Sequence, residues 1–176
     1  MPKLTILAAA VLSVAVAAGC GGTRTVSRTV SVERNAPAAS ATGDLRLYGQ
    51  IRSLERKGDH YELRLDPAWF LSGIAANVAQ AEAQGNHCAP SSCPPVANDN
   101  YVLDEGHRLL TYILRAGTRG TVLTKADPNG ATITAAQLAG LVAGTSRLKL
   151  FEPLSTGVWI LVHVDTIRTF AQQYHP

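Results

Sequence analysis

The side chains best suited to chemistry crowd into one short stretch. Between Asn98 and Arg108 stand Asp99, Asp104, Glu105 and His107. Carboxylates beside an imidazole can serve as general acid and base, and the same groups can ligate metals. The plainer reading of Asp104-Glu105-Gly106-His107 is a turn between Tyr101-Val102-Leu103 and Leu109-Leu110. Aspartate accepts hydrogen bonds from nearby backbone N–H groups, and glycine supplies the freedom a reversal needs. Asp99, Asp104, Glu105 and His107 are therefore candidate binding residues; no catalytic residue and no metal site is assigned. Nucleophile elbows, phosphate loops, zincin helices and calcium loops are absent from the sequence, so no cofactor is implied.

Three cysteines add a second kind of chemistry. Cys88 and Cys93 stand in His-Cys-Ala-Pro-Ser-Ser-Cys-Pro-Pro. Outside the cytoplasm, such a close pair in a proline-rich loop reads as a disulfide. A rival reading makes His87, Cys88 and Cys93 metal ligands, although structural zinc wants four ligands at tighter thiolate spacing. Two free thiols are the third option. A disulfide here would order the loop, and its removal is expected to leave the core untouched.

Cys20 has a different setting. Lys3 precedes an apolar run from Leu4 to Ala18, about the length of a secretory leader and short for a membrane span. Ala17-Ala18-Gly19 follow, and then the cysteine. This stretch resembles the lipobox of bacterial lipoproteins. The resemblance implies that Cys20 is diacylated, with palmitate-type chains, and that the leader is cut just before it. It places the mature chain on the extracytoplasmic side of a cell membrane, in the cell envelope. It covers only the first 20 residues or so. The competing reading is an ordinary secretory leader with a chance cysteine at its cut site.

These features divide the chain into a signal peptide over 1–19, a lipidated cysteine with flexible tether over 20–43, and one domain over 44–176. The tether is rich in Thr, Ser, Ala and Gly, a composition that does not bury a core. Its Arg24, Arg28 and Arg34 either lie near anionic head groups, where each adds about 1 kcal/mol, or are simply solvated charges on a flexible linker. The whole chain has 176 residues and a net charge of +3, too weak and scattered to point to nucleic acid.

The domain opens on alternating residues from Leu45 to Ile51 and from Tyr61 to Leu65, joined by Lys57-Gly58-Asp59, which together predict a β-hairpin. Asp66-Pro67 predicts a helix start, with Trp69, Phe70, Ile74, Val78 and Ala81 as its apolar stripe. Strands are expected over Tyr101–Leu103, Leu109–Leu114, Thr121–Thr124 and Leu148–Phe151. Thr134 and Gln137 form a capping box opening a second helix. The clearest strand runs from Gly157 to Asp165, with Val158, Ile160, Val162 and Val164 on one face. Trp159, Leu161 and His163 occupy the other, which implies that both faces are covered. Ile167, Phe170, Ala171 and Tyr174 suggest a short terminal helix. The sum is an α+β domain: a mainly antiparallel sheet or small open barrel, of the oligonucleotide-binding type or flat under helices, with about six strands and two to three helices.

Two functional readings follow. One is a non-enzymatic envelope lipoprotein that binds a partner protein, a lipid or a small ligand. The alternative is a small surface-tethered enzyme or metal-binding domain using the Asp104-Glu105-His107 region.

Overall fold

A computed structural model describes residues 43–176 apart from His107, Pro128 and Pro176. The fold is α+β, with two helices and an eight-stranded, mostly antiparallel sheet. Eight strands replace the expected six or so.

The long first hairpin forms as its alternation predicts. Strand β1 (Asp44–Lys57) runs antiparallel to β2 (His60–Ser72). Its register shifts at Arg52, which is squeezed out between the Ile51↔Leu65 and Ser53↔Arg64 pairs. The freed Arg52 guanidinium donates to Asp66 Oδ2 at 2.6 and 2.9 Å. Asp66-Pro67 does not start a helix; β2 continues through it. Pro67 lies opposite Gly49, where a side chain would overlap the Asp66 carbonyl. On its other edge β2 pairs with β4 over His60–Leu65 and with β3 over Trp69–Ser72. Pro67 falls in the gap, where its missing N–H breaks no ladder.

Helix α1 (Gly73–Ala83) begins only after β2 ends, with Gly73 at φ +58. Trp69 and Phe70 are thus strand residues, and Ile74, expected on the buried stripe, is 61% exposed. Ala76 of α1 packs with Leu71 and Val96, beside Trp69, Tyr101 and Leu103. Asn77 Oδ1 accepts from Val96 N at 2.8 Å, which ties the proline-rich loop to the helix.

Strands β3 (Asn100–Leu103) and β4 (Leu110–Arg115) follow, then β5 (Arg119–Val122) and β6 (Ala131–Thr134). Nothing in the sequence signals β6, whose Ala-Thr-Ile-Thr holds a single large apolar residue, Ile133. Helix α2 (Ala135–Val142) opens on the expected capping box: Thr134 Oγ1 accepts from Gln137 N, and Gln137 Oε1 accepts from Thr134 N. Leu148–Phe151 is not a strand. It makes a single bridge, Thr124↔Leu150, with Phe151 N donating to the Leu123 carbonyl at 2.8 Å and Lys125 N to the Lys149 carbonyl at 3.1 Å, and the buried Gln172 side chain ties its neighbourhood further. That amide accepts from Leu123 N at 3.0 Å and donates to the Glu152 carbonyl at 2.9 Å.

Strand β7 (Val158–His163) ends one residue before Val164, which lies in the turn to β8 (Thr166–Gln172). The expected terminal helix is therefore a strand. Ile167 and Phe170 are both buried although three residues apart. A bulge causes this: Leu161 pairs with Thr169 and the adjacent Val162 with Ile167, so Arg168 is extra. Such a bulge makes a strand imitate helical spacing.

β1 pairs with β2 and β7, β7 with β8, β8 in parallel with β4, and β4 with β2. This circuit of hydrogen-bonded pairings returns to its starting strand. Inside it lie Leu63, Leu65, Leu114, Ile160, Ile167 and Phe170, with Leu138 of α2 packed among them. Fully burying a side chain of this kind stabilises by about 1.5–3 kcal/mol.

Candidate functional site

The acidic cluster read from the sequence is dispersed over a loop. Asp99 ends a single 3-10 turn (Ala97–Asp99), with φ +55. Asp104 Oδ1 accepts from Gly106 N at 2.9 Å, and Gly106 has φ +66, the geometry of an aspartate-closed turn. Glu105 Oε2 accepts from Trp69 Nε1 at 3.1 Å, so that carboxylate braces the β2 extension. His107 lies outside the described residues, as does Cys20. Among the described residues no three His, Cys, Asp or Glu side chains gather as a metal-holding group. Cys88 and Cys93 stand at disulfide distance, Sγ to Sγ 2.02 Å, with Cα atoms 5.2 Å apart. Cys93 is buried against Val78 and Ala81 of α1, so the pair joins a small satellite core.

The structure builds a second locus on the outer face of β1, β7 and β8. Strand alternation puts Leu47 and Ile160 inward, and therefore Arg46 and Trp159 outward. Register sets Arg46 opposite Leu161, and Trp159 opposite Ala171. The Arg46 guanidinium lies over the Trp159 ring, 4.4 Å from its centroid. A cation held over an indole gains about 0.5–1 kcal/mol at an exposed site. Trp159 Nε1 donates to Gln173 Oε1 at 2.7 Å, which fixes the plane of the ring. Beside this pair is a shallow cavity of about 300 Å³, bounded also by Leu161, Thr169 and Ala171.

An aromatic cluster backs the cavity. Tyr48 contacts Trp159 and Phe70 with ring centroids 5.1 and 5.2 Å apart. The Tyr48 hydroxyl donates to the Thr156 carbonyl at 2.5 Å and lies 3.2 Å from His175 Nε2. His175 N in turn donates to the Glu152 carboxylate at 3.2 Å. Burial, and then the Glu152 charge, push the Tyr48 phenol from 10.0 up to about 12. Tyr48 therefore stays neutral and acts as a packed strut.

The sequence carries the parity of this face, since Trp159, Leu161 and His163 alternate with the core valines. What it lacks is the register that brings Arg46 to Trp159 across 113 positions of chain. The outer face of β7 is only partly covered: Trp159, Leu161 and His163 are all half-buried, and Trp159 and Leu161 both line the cavity. Compared with protein-family models, with curated proteins and with solved structures, the chain matches none. No helix among the described residues is long and apolar enough to cross a membrane.

Proposed function

We propose that this chain is a lipid-anchored extracytoplasmic binding module, held at a cell membrane through Cys20 and the 20–43 tether. Its binding face is the outer surface of β1, β7 and β8. The observation that carries this reading is the cavity beside Arg46 and Trp159: its lining offers an indole, aliphatic side chains, one hydroxyl and one cation. Such a mixture, mostly apolar with a few convergent polar groups, suits a small ligand. The circuit β1-β2-β4-β8-β7 supports a small barrel of the oligonucleotide-binding type, with β3, α1, β5 and β6 added around it. That architecture leaves the ligand open, because function resides in the site and not in the fold. A small ligand or an envelope protein is the partner, not nucleic acid.

The test is to plug the cavity. Leu161 is only partly buried, so Leu161→Arg fills the space without entering the core. Small molecules that raise the melting temperature of the full chain should lose their effect on this variant. Persistence of the shifts would place binding elsewhere on the domain.

A further inference from the structure

The geometry points to an amphiphile with one anionic group, a phosphate or carboxylate, on an apolar body as the ligand of this face; the inference rests on the binding reading above and deepens it. Arg46 on β1 is opposite Leu161 on β7, and Leu161 is opposite Thr169 on β8. The bulge at Arg168 leaves Arg168 and Thr169 both exposed, while their neighbours Ile167 and Phe170 remain buried. Thr169 Oγ1 donates to the Arg119 carbonyl at 3.1 Å, which brings the start of β5 alongside. Arg46, Arg168 and Arg119 thus follow one row across the outer face of four strands.

All three arginines are exposed, and none forms an ion pair with any described residue. Arginine is not left unpaired everywhere in this fold: Arg52, on the same strand as Arg46, is held by Asp66 at 2.6 Å. Exposed guanidiniums gathered on one face make it locally cationic and favour an anion there; Asp44, on the same face of β1, is engaged with His163 at 2.8 Å. The Arg46 guanidinium is already oriented by stacking on Trp159. Its N–H edge makes no hydrogen bond with a described residue and is open to two oxygens of one oxyanion. Next to it the cavity wall is apolar, formed by Trp159, Leu161 and Ala171. A volume of about 300 Å³ is at the small end for ligand sites, which limits the buried body to a short chain or one ring.

The full chain, held in phosphatidylcholine nanodiscs, is titrated with hexyl phosphate and separately with its two halves, hexanol and inorganic phosphate. A Trp69→Phe background leaves Trp159 as the sole tryptophan, read by excitation at the red edge where tyrosine does not absorb. Hexyl phosphate should give a saturable change, and each half should bind far more weakly. Arg46→Gln should weaken hexyl phosphate by about ten-fold or more. Arg56→Gln, which removes the same charge at the far hairpin, should not. Repeating the titration in nanodiscs containing phosphatidylglycerol separates the sources: a Trp159 signal already shifted there identifies a membrane lipid, and an unshifted one identifies a free amphiphile. Equal binding of hexanol, or indifference to Arg46→Gln, overturns the anionic class and leaves the cavity a binding site. If no ligand shifts the protein and Leu161→Arg changes nothing, the binding reading falls as well.

Discussion

Val164 holds a β-branched side chain at φ +59 in the two-residue loop between β7 and β8, and it is 84% exposed. That conformation costs on the order of 1–3 kcal/mol for such a residue. Glycine adopts it freely but loses about 1 kcal/mol of extra chain entropy on folding. Val164→Gly should therefore stabilise by up to about 2 kcal/mol. The urea midpoint reads this, and a fall would mean that the exposed valine contributes more than its strain costs. Tyr48 gives the opposite case, a residue whose comfort depends on its surroundings. Its phenol has a folded pKa above the unfolded one, so the folded state holds the proton more tightly. The stability this contributes is complete below pH 10 and is lost as pH rises from 10 through about 12. Tyr48→Phe should cost about 1 kcal/mol near neutrality by removing the bond to Thr156. It should also flatten the alkaline decline, as urea unfolding on either side of pH 10 will show. An unchanged decline would assign it to another tyrosine; burial also raises Tyr112.

Among the elements, the disulfide loop and α1 behave as one unit. The sequence alone suggests that the Cys88–Cys93 loop is detached from any core. Burial of Cys93 against Val78 and Ala81 corrects this. Replacing both cysteines by serine should cost about 2 kcal/mol from chain entropy, with the lost packing of Cys93 on top. A denaturation midpoint moved by less than half of that would detach the loop again. Non-reduced mass spectrometry should find the loop peptide two hydrogens lighter than its reduced form. Hairpin β1–β2 and the cap of α2 were legible because their signals are local: alternation, a Gly-Asp turn, and a hydroxyl three residues before an amide. The tail of β2 and all of β8 were not. Asp66-Pro67 has the chemistry of a helix start, and only the Gly49 crossing turns it into strand. Ile167 and Phe170 have helical spacing, and only pairing with β7 reveals the bulge behind it.

At the scale of the whole molecule, no helix among the described residues is long and apolar enough to cross a membrane, and the proposed attachment rests on Cys20 alone. One acyl chain binds a membrane only marginally, whereas two or more anchor it. Cys20→Ala should move the protein from the membrane fraction to the soluble one. Failure of the wild type to incorporate labelled palmitate would remove the anchor from the proposal. A domain tethered as proposed would meet its ligands at or near the membrane surface, where anionic amphiphiles are found.

What the sequence determined by itself was whatever neighbours along the chain decide. That covers the first hairpin, the capped second helix, the Asp104–Gly106 turn chemistry and the α+β class; the leader-like stretch before Cys20 lies outside the described residues. Tertiary structure decided everything that depends on register. Whether Trp69-Phe70 sits in helix or strand depends on β3 being available as a partner. Whether Ile167 and Phe170 share a helix face or flank a bulge depends on β7. The candidate site is the plainest case: Arg46 and Trp159 lie far apart in sequence, and no spacing rule connects them. Side chains on a sheet face acquire their neighbours from strand pairing, and pairing is chosen by the burial of the opposite face. The loop cluster of Asp104 and Glu105 is local and visible for that reason, whereas the shallow cavity exists only once β1, β7 and β8 lie side by side.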